Sequence, residues 1–477
     1  MMIINLLVCG STCGSSFRAI PGALLLTLQL SLILAVPSMQ GQTFTVLHQF
    51  AGKGDGEYPG SVIRDSKGNL FGVTDTGGSF DVGAVFEIDV NGKETILHSF
   101  WGGDGFWPFA PLLRDPAGNL YGTTEYGGTP KRGKCWYGCG TVFKLDSAGK
   151  ETVLHAFTGG KDGGSPAGGL VRDHEGNLYG TTSTGGEVIA CHDGCGVVFK
   201  LDTSGKETVL HEFGRVSSDG WDPSGGLVQD KAGNLYGTTW SGGTGNCDLG
   251  CGTVFRVNKA GRETVLYSFT GKGADSGPSG PLVRDPAGNL YGVTVGPMYC
   301  TTACGAVFKV TKSGKESVLY TFKGGSDGSL PSGGLTRDSS GSLYGTTWYG
   351  GSDECDTGGC GTIFKVDTNG NETVLYSFTG GQYQYSPQAN GSLILGEDGS
   401  LYGSTSQGGD LSCGYQSNTG CGMVFKLTGY AYETIANKPI IAGKTKGPDV
   451  TTVQDATLGH LAAGASAIPA WRAKETK

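Results

Sequence analysis

One heptapeptide recurs seven times. Gly118-Asn-Leu-Tyr-Gly-Thr-Thr124 returns, with small changes, as Gly68–Thr74, Gly176–Thr182, Gly233–Thr239, Gly288–Thr294, Gly341–Thr347 and Gly399–Thr405, at intervals of 50–58 residues. Self-similarity at a fixed period of this size marks an array built from one supersecondary unit. Each copy follows a Leu-Val-Arg-Asp-like segment (Leu170–Asp173, Leu282–Asp285). Each precedes Gly-Thr-Val-Phe-Lys-Leu-Asp or a variant (Gly140–Asp146, Gly252–Asn258), and in six copies Glu-Thr-Val-Leu-His-Ser-Phe or a near match comes next (Glu94–Phe100, Glu151–Phe157, Glu263–Phe269). Asp-x-x-Gly-Asn (Asp115–Asn119) separates the first two segments and Asp-x-x-Gly-Lys (Asp202–Lys206) the last two. Both are tight-turn signals in which Asp bonds the turn backbone and Gly takes positive φ.

Each repeat therefore reads as a four-stranded antiparallel meander. Neighbours such as Val142-Phe143 and Val153-Leu154 point to opposite faces of a strand yet are both apolar, so each sheet is covered on both sides. Seven such sheets, each packed between two others, predict an all-β seven-bladed β-propeller over residues 44–436, an architecture with short, protected edges. The seventh repeat lacks a clear fourth strand, which decays to Tyr432–Ile435, whereas Phe44-Thr-Val-Leu-His-Gln-Phe50 is a fourth-strand copy without a blade. The N-terminal strand is predicted to close the ring as the outer strand of the last blade; the alternative has Glu433–Ile435 in that place and residues 44–50 as an extra edge.

These motifs in this order are similar to NHL-type propeller repeats. More closely, the sequence resembles the GloVer (choice-of-anchor) tandem-repeat family over about residues 44–436. The resemblance implies an exported surface or secreted repeat protein with variable C-terminal anchoring, and implies no activity. Residues 437–477 carry no sorting motif, lipid-attachment cysteine or spanning stretch and read as a disordered tail.

At the other end, Arg18 and the apolar run Ile20–Val36 followed by small and polar residues read as a signal peptide over residues 1–41, with an uncleaved membrane anchor as the alternative. Beyond it, twelve cysteines form six close pairs between the second and third strands: Cys135/Cys139, Cys191/Cys195, Cys247/Cys251, Cys300/Cys304, Cys355/Cys360 and Cys413/Cys421. In an exported chain these are expected to be disulfides that clip loops within a blade. The first repeat is the internal control, since its short loop Gly77–Gly83 has no cysteine. A zinc site would need four ligands, and the pairs sit on different blades.

In a meander blade the second-to-third-strand loops and the blade connections share one face of the disc, the Asp-x-x-Gly turns the other. The first face varies from repeat to repeat and carries six of the seven tryptophans, among them Trp101. Candidate ligand-binding residues there are Trp107, Lys131, Arg132, Trp136, Tyr137, His192, Trp221, Trp240, Trp348 and Tyr349; rings in such a position either stack on sugars and anchor proteins or cap blade junctions. Catalytic machinery is not read. His48, His98, His155 and His211 share one fourth-strand position with Tyr267, Tyr320 and Tyr376 and read as structural. Asp55, Asp104, Asp162, Asp219 and Asp327, in repeated Asp-Gly-x-x-Pro connections, read as turn residues, since one carboxylate per loop is too few for calcium. Arg64, Arg114, Arg172, Arg284 and Arg337 could ring the channel or pair structurally.

The formal charge of −8 removes the attraction that nucleic acid or an anionic membrane would use. The expectation is a secreted or cell-surface monomer that binds or scaffolds an extracellular glycan or protein, with no nucleic-acid partner, no cofactor, no metal, and a membrane only if the leader is retained. The alternative is a propeller enzyme of lyase or hydrolase type acting at the channel mouth on a polysaccharide or small ester, which a convergent His/Glu/Tyr/Arg cluster would reveal; none is expected.

Overall fold

The structure, a computed structural model, describes residues 42–430 apart from 129–134, 189–190, 192, 217, 224, 248–249, 276, 297–302, 353–354, 356–358, 380–391, 411–412 and 414–419. The leader, the tail and Glu433–Ile435 lie outside the described residues, as do Lys131, Arg132 and His192. Among the described residues the only helical turns are Lys53–Asp55 and Gly325–Asp327, and no helix is long and apolar enough to cross a membrane.

Seven four-stranded antiparallel blades form the ring. Blade two is typical: Leu113–Arg114 pairs with Leu120–Thr124, that strand with Thr141–Leu145, and the last with Glu151–Ala156. The predicted closure is present. Thr43–Gln49 pairs with Met423–Thr428, so that blade seven takes its outer strand from the N-terminus, Phe44 opposite Leu427.

The repeat's constant residues explain this geometry. Asp115 Oδ1 accepts the N–H groups of Ala117 and Asn119 at 3.0 and 2.9 Å, and its Oδ2 accepts the Tyr121 hydroxyl at 3.2 Å, locking the first hairpin. Gly122 lies beneath the Phe143 ring, where an added Cβ would stand 2.5 Å from the ring edge; only glycine lets the third-strand phenylalanine fold across the sheet. Each such ring meets, in most cases edge to face, the phenylalanine that follows the preceding blade's fourth strand: Phe50–Phe86 at 5.1 Å, Phe100–Phe143 at 5.0 Å, and so on round to Phe378–Phe425 at 5.7 Å. Apart from Phe378, at 2% exposed, these rings are at most 1% exposed. Full burial of such a ring contributes about 2–3 kcal/mol, which makes this chain of rings a main support of the propeller.

Four of the five recurring arginines reach the preceding blade. The Arg64, Arg114, Arg284 and Arg337 guanidinium groups lie 5.1–5.9 Å from the ring centres of Tyr402, Phe71, Tyr236 and Tyr291, each on the preceding blade, and Arg114 also reaches Asp65 at 3.8 Å. Pairing with an inner-strand aspartate, one of the two arrangements left open by the sequence, is seen at Arg114, whereas Arg64, Arg284 and Arg337 lie over rings of the preceding blade.

Candidate ligand-binding site

The loop face is organised by a backbone device the sequence did not announce. Tyr58, Trp107, Ser165, Asp222 and Leu330, each immediately before a proline of a blade connection, adopt φ between +50° and +58°; Gly277 takes +61° at the same position. Non-glycine residues rarely occupy this region, and such conformations cluster where function fixes the backbone. Their N–H groups reach back to the preceding blade's clipped loop: Tyr58 to Cys421 O at 2.9 Å, Ser165 to Cys139 O at 2.8 Å, Asp222 to Cys195 O at 3.2 Å, Leu330 to Cys304 O at 2.8 Å; Trp107 bonds Val82 O at 3.2 Å where no cysteine is present. Among the described residues, the second Cys of five clips, Cys139, Cys195, Cys251, Cys304 and Cys421, thus anchors the next blade.

The clips are those expected. Cys135–Cys139, Cys191–Cys195, Cys247–Cys251, Cys355–Cys360 and Cys413–Cys421 are disulfides, with Cα atoms 5.2–5.6 Å apart. Cys304 is also disulfide-bonded, and Cys300 lies outside the described residues.

Blade two concentrates aromatic surface. Phe106 and Tyr126 exchange N–H···O=C bonds at 3.0 Å, and Glu125 N–H donates to Trp107 O at 3.0 Å. The Phe106 ring centre lies 5.3 Å from Trp107, 5.8 Å from Tyr126 and 6.4 Å from Tyr137; Trp107 and Tyr126 are 5.6 Å apart. Tyr137 sits inside the Cys135–Cys139 ring, where its carbonyl accepts Gly127 N–H at 2.9 Å, and the adjacent Trp136 is 92% exposed. Of the candidates, Trp107, Trp136 and Tyr137 are therefore on one blade, Trp107 and Tyr137 in one cluster. The others are dispersed. Trp221 packs on the core between blades three and four, and the Trp240 ring lies over Gly277 of the next blade, so both rings sit at blade junctions. Trp348 and Tyr349 end the second strand of blade six, half-buried.

Beside the aromatic cluster stand two carboxyl groups that the sequence reading passed over. Asp75 and Glu125 occupy equivalent positions at the ends of neighbouring second strands, where other blades carry Ser183, Trp240, Val295, Trp348 and Ser406. Glu125 is buried, Asp75 Oδ1 is enclosed without a hydrogen-bond partner, and burial followed by the charge of Glu125 holds the Asp75 carboxyl well above the usual carboxylate range. The signal was available: equal register in consecutive repeats makes residues neighbours round the ring.

Seven radially arranged four-stranded sheets with an individualised loop rim define a repeat-built β-propeller. Its repeats are those of the Gloeobacter/Verrucomicrobia repeat family, which matches residues 35–190, 131–357, 189–416 and 300–458, and the chain belongs to this family. Among solved structures, one described as the extracellular domain of a one-component system from B. thetaiotaomicron aligns over 82% of this chain with 15% identity and a TM-score of 0.50. This chain spans 42% of that protein's length. A gluconolactonase from Xanthomonas campestris aligns over 82% of this chain and 90% of its own, with 12% identity and a TM-score of 0.40. At such identities the likeness concerns fold. No curated protein matches the chain.

Proposed function

We propose that this propeller is an extracytoplasmic binding module whose ligand is an uncharged or weakly anionic glycan, held on the loop face of blade two. The observation that carries this reading is the Phe106, Trp107, Tyr126 and Tyr137 cluster, next to the exposed Trp136 and flanked by Asp75 and Glu125. Aromatic faces stack on the apolar faces of sugar rings, and carboxyl groups exchange hydrogen bonds with the hydroxyls at their rims. The disulfide ring that carries Trp136 and Tyr137 fixes the loop beforehand, which lowers the ordering cost of binding. Disulfides in most blades fit an oxidising compartment. Glycan-array screening of the purified protein tests this. Trp107→Ala and Trp136→Ala are expected to weaken the best glycan by about 10- to 100-fold each with the unfolding midpoint little changed for Trp136→Ala. A ligand insensitive to both substitutions, or a protein ligand that binds the turn face, would sink the reading.

The Asp75–Glu125 pair favours one second reading, a propeller hydrolase or lyase in which Asp75, its carboxyl raised by burial and by the charge of Glu125, is the general acid. Asp75→Asn would then abolish release of new sugar ends while leaving binding within about threefold; absence of any cleavage by the unaltered protein removes this reading.

A further inference from the structure

We propose that the junction between blades three and four is a binding site for a first-row divalent cation, best fitted by Zn²⁺, with His211, Asp219 and Glu263 as its protein ligands. The three side chains come from separate elements: the fourth strand of blade three, Glu207–Glu212; the connection that follows it; and the fourth strand of blade four, Glu263–Ser268. One ligand atom from each lies within 4.8 Å of the other two, and among the described residues no other three His, Cys, Asp or Glu side chains converge in this way.

The second observation is a buried carboxylate oxygen without a donor. His211 Nε2, Asp219 Oδ1 and Glu263 Oε1 are each enclosed without a hydrogen-bond partner, although His211 Nε2 stands 3.4 Å from Asp219 Oδ2. The equivalent glutamate oxygens of the other junctions and His155 Nε2 are enclosed in the same way, so it is Asp219 Oδ1 that sets this junction apart. Asp219 is 4% exposed. A buried carboxylate oxygen with no donor is unfavourable unless a cation meets it.

Equivalent junctions supply the control. Asp104 accepts His98 at 2.9 Å and Trp101 N–H at 2.9 Å, and Asp162 accepts both the N–H and the hydroxyl of Thr158. Asp275 and Asp327 likewise take the N–H of Thr270 and Lys323. In every case the donor is the residue after the conserved phenylalanine. At blade three that residue is Gly214, in the left-handed region at φ +79°, and Asp219 Oδ1 accepts nothing. With no such bond from Gly214, a buried carboxylate oxygen that the other described junctions consume internally is left unpaired.

Chemistry selects the ion class. One imidazole nitrogen with two carboxylates suits Zn²⁺ and its first-row neighbours; calcium prefers an all-oxygen shell of six to eight ligands. Two carboxylates balance the double charge. Three ligands bound at about 2.0–2.2 Å to a tetrahedral ion lie about 3.2–3.6 Å apart, so drawing the side chains together by roughly 1 Å completes three corners, with water at the fourth. The ion would staple two blades.

The test is isothermal titration of the untagged, metal-stripped protein with Zn²⁺, together with X-ray absorption at the zinc edge. One ion per chain is expected, with nitrogen and oxygen scatterers. Affinity should fall by about 100-fold in His211→Tyr, which installs the residue that Tyr267 and Tyr320 provide in neighbouring blades, and in Asp219→Asn, while His155→Tyr leaves it unchanged. Unfolding in the presence of a chelator establishes that the variants are folded. Equal loss in His155→Tyr, no loss in either ligand variant, sulfur in the coordination shell, or no uptake at about 1 mM Zn²⁺ would each overturn the assignment; the absorption measurement needs no variant and decides the matter should both fail to fold.

Discussion

Six blade junctions are polar where the seventh is aromatic. At the six, a glutamate opens the fourth strand (Glu94, Glu151, Glu207, Glu263, Glu316, Glu372) and meets the charge of a connection aspartate from the junction before it, Asp55, Asp104, Asp162, Asp219, Asp275 or Asp327. At the seam Phe44 takes that position, opposite Leu427 as Glu94 is opposite Ile88, and stacks on Tyr376 of blade six at 4.3 Å. It also meets Phe425 at 5.1 Å and Phe378 edge-on at 5.7 Å. The six glutamate strands are each tied to their own third strand by a tight turn and need little further help to dock. The seam strand has no such turn: its closure spans almost the whole domain, and closure entropy grows with loop length. Where covalent proximity is missing, apolar burial replaces it.

The largest effect should come from removing the seam strand itself. Deleting residues 43–49 leaves Met423–Thr428 as an unpaired edge, and the cooperative unfolding transition is expected to broaden or disappear in calorimetry, with a peptide of sequence Phe44–Phe50 restoring it. A sharp, unshifted transition in the shortened chain would show that the seam contributes nothing.

Phe44→Ala isolates the aromatic part. Loss of a stacked, half-buried ring is expected to cost about 2–4 kcal/mol in denaturant unfolding, against less than about 1 kcal/mol for Glu151→Ala at an ordinary junction. Equal costs would erase the distinction drawn between the two kinds of junction.

The smallest effect concerns pH. Burial, reinforced by Asp55 and Asp327 respectively, pushes Glu94 and Glu372 up to about 7 from an ordinary 4.5. Between those values the folded state holds protons that the unfolded chain has released. The stabilisation from these groups is therefore complete below about pH 4.5 and is lost as pH rises through 7. Both side chains are partly exposed, so the contribution is about 1 kcal/mol or less each. Glu372→Gln should flatten the slope of stability between pH 5 and 8, whereas Phe44→Leu at the seam should leave that slope untouched; an unchanged slope in Glu372→Gln would dismiss the protonated junction.

The blades were legible because each rests on local rules repeated seven times: Asp115 and Gly118 specify a hairpin wherever they occur, and Phe44–Phe50 could be matched to Glu94–Phe100 by eye. The cysteine clips followed for the same reason. What could not be read was set by contacts between repeats. Nothing local distinguishes Trp107, which joins an aromatic cluster, from Trp240, which covers Gly277 of the next blade. The positive φ of Asp222 depends on Cys195 of the preceding blade, and the convergence of His211 with Asp219 and Glu263 depends on the twist between sheets. Asp75 and Glu125 could have been paired by laying the repeats in register round a ring, a step that treats the repeat as geometry as well as alignment.

The seam also imposes an order in time. Thr43–Gln49 is synthesised before any blade, yet its partner Met423–Thr428 is made after all the others. Throughout elongation the first strand must stay unpaired beside a growing row of third strands with the same pattern. It is kept from mispairing because each of those strands captures its own fourth strand within a few residues of emerging, far faster than a distant competitor can arrive. The strand made first is the last to be used, and a nascent chain interrupted before residue 423 has no closed ring.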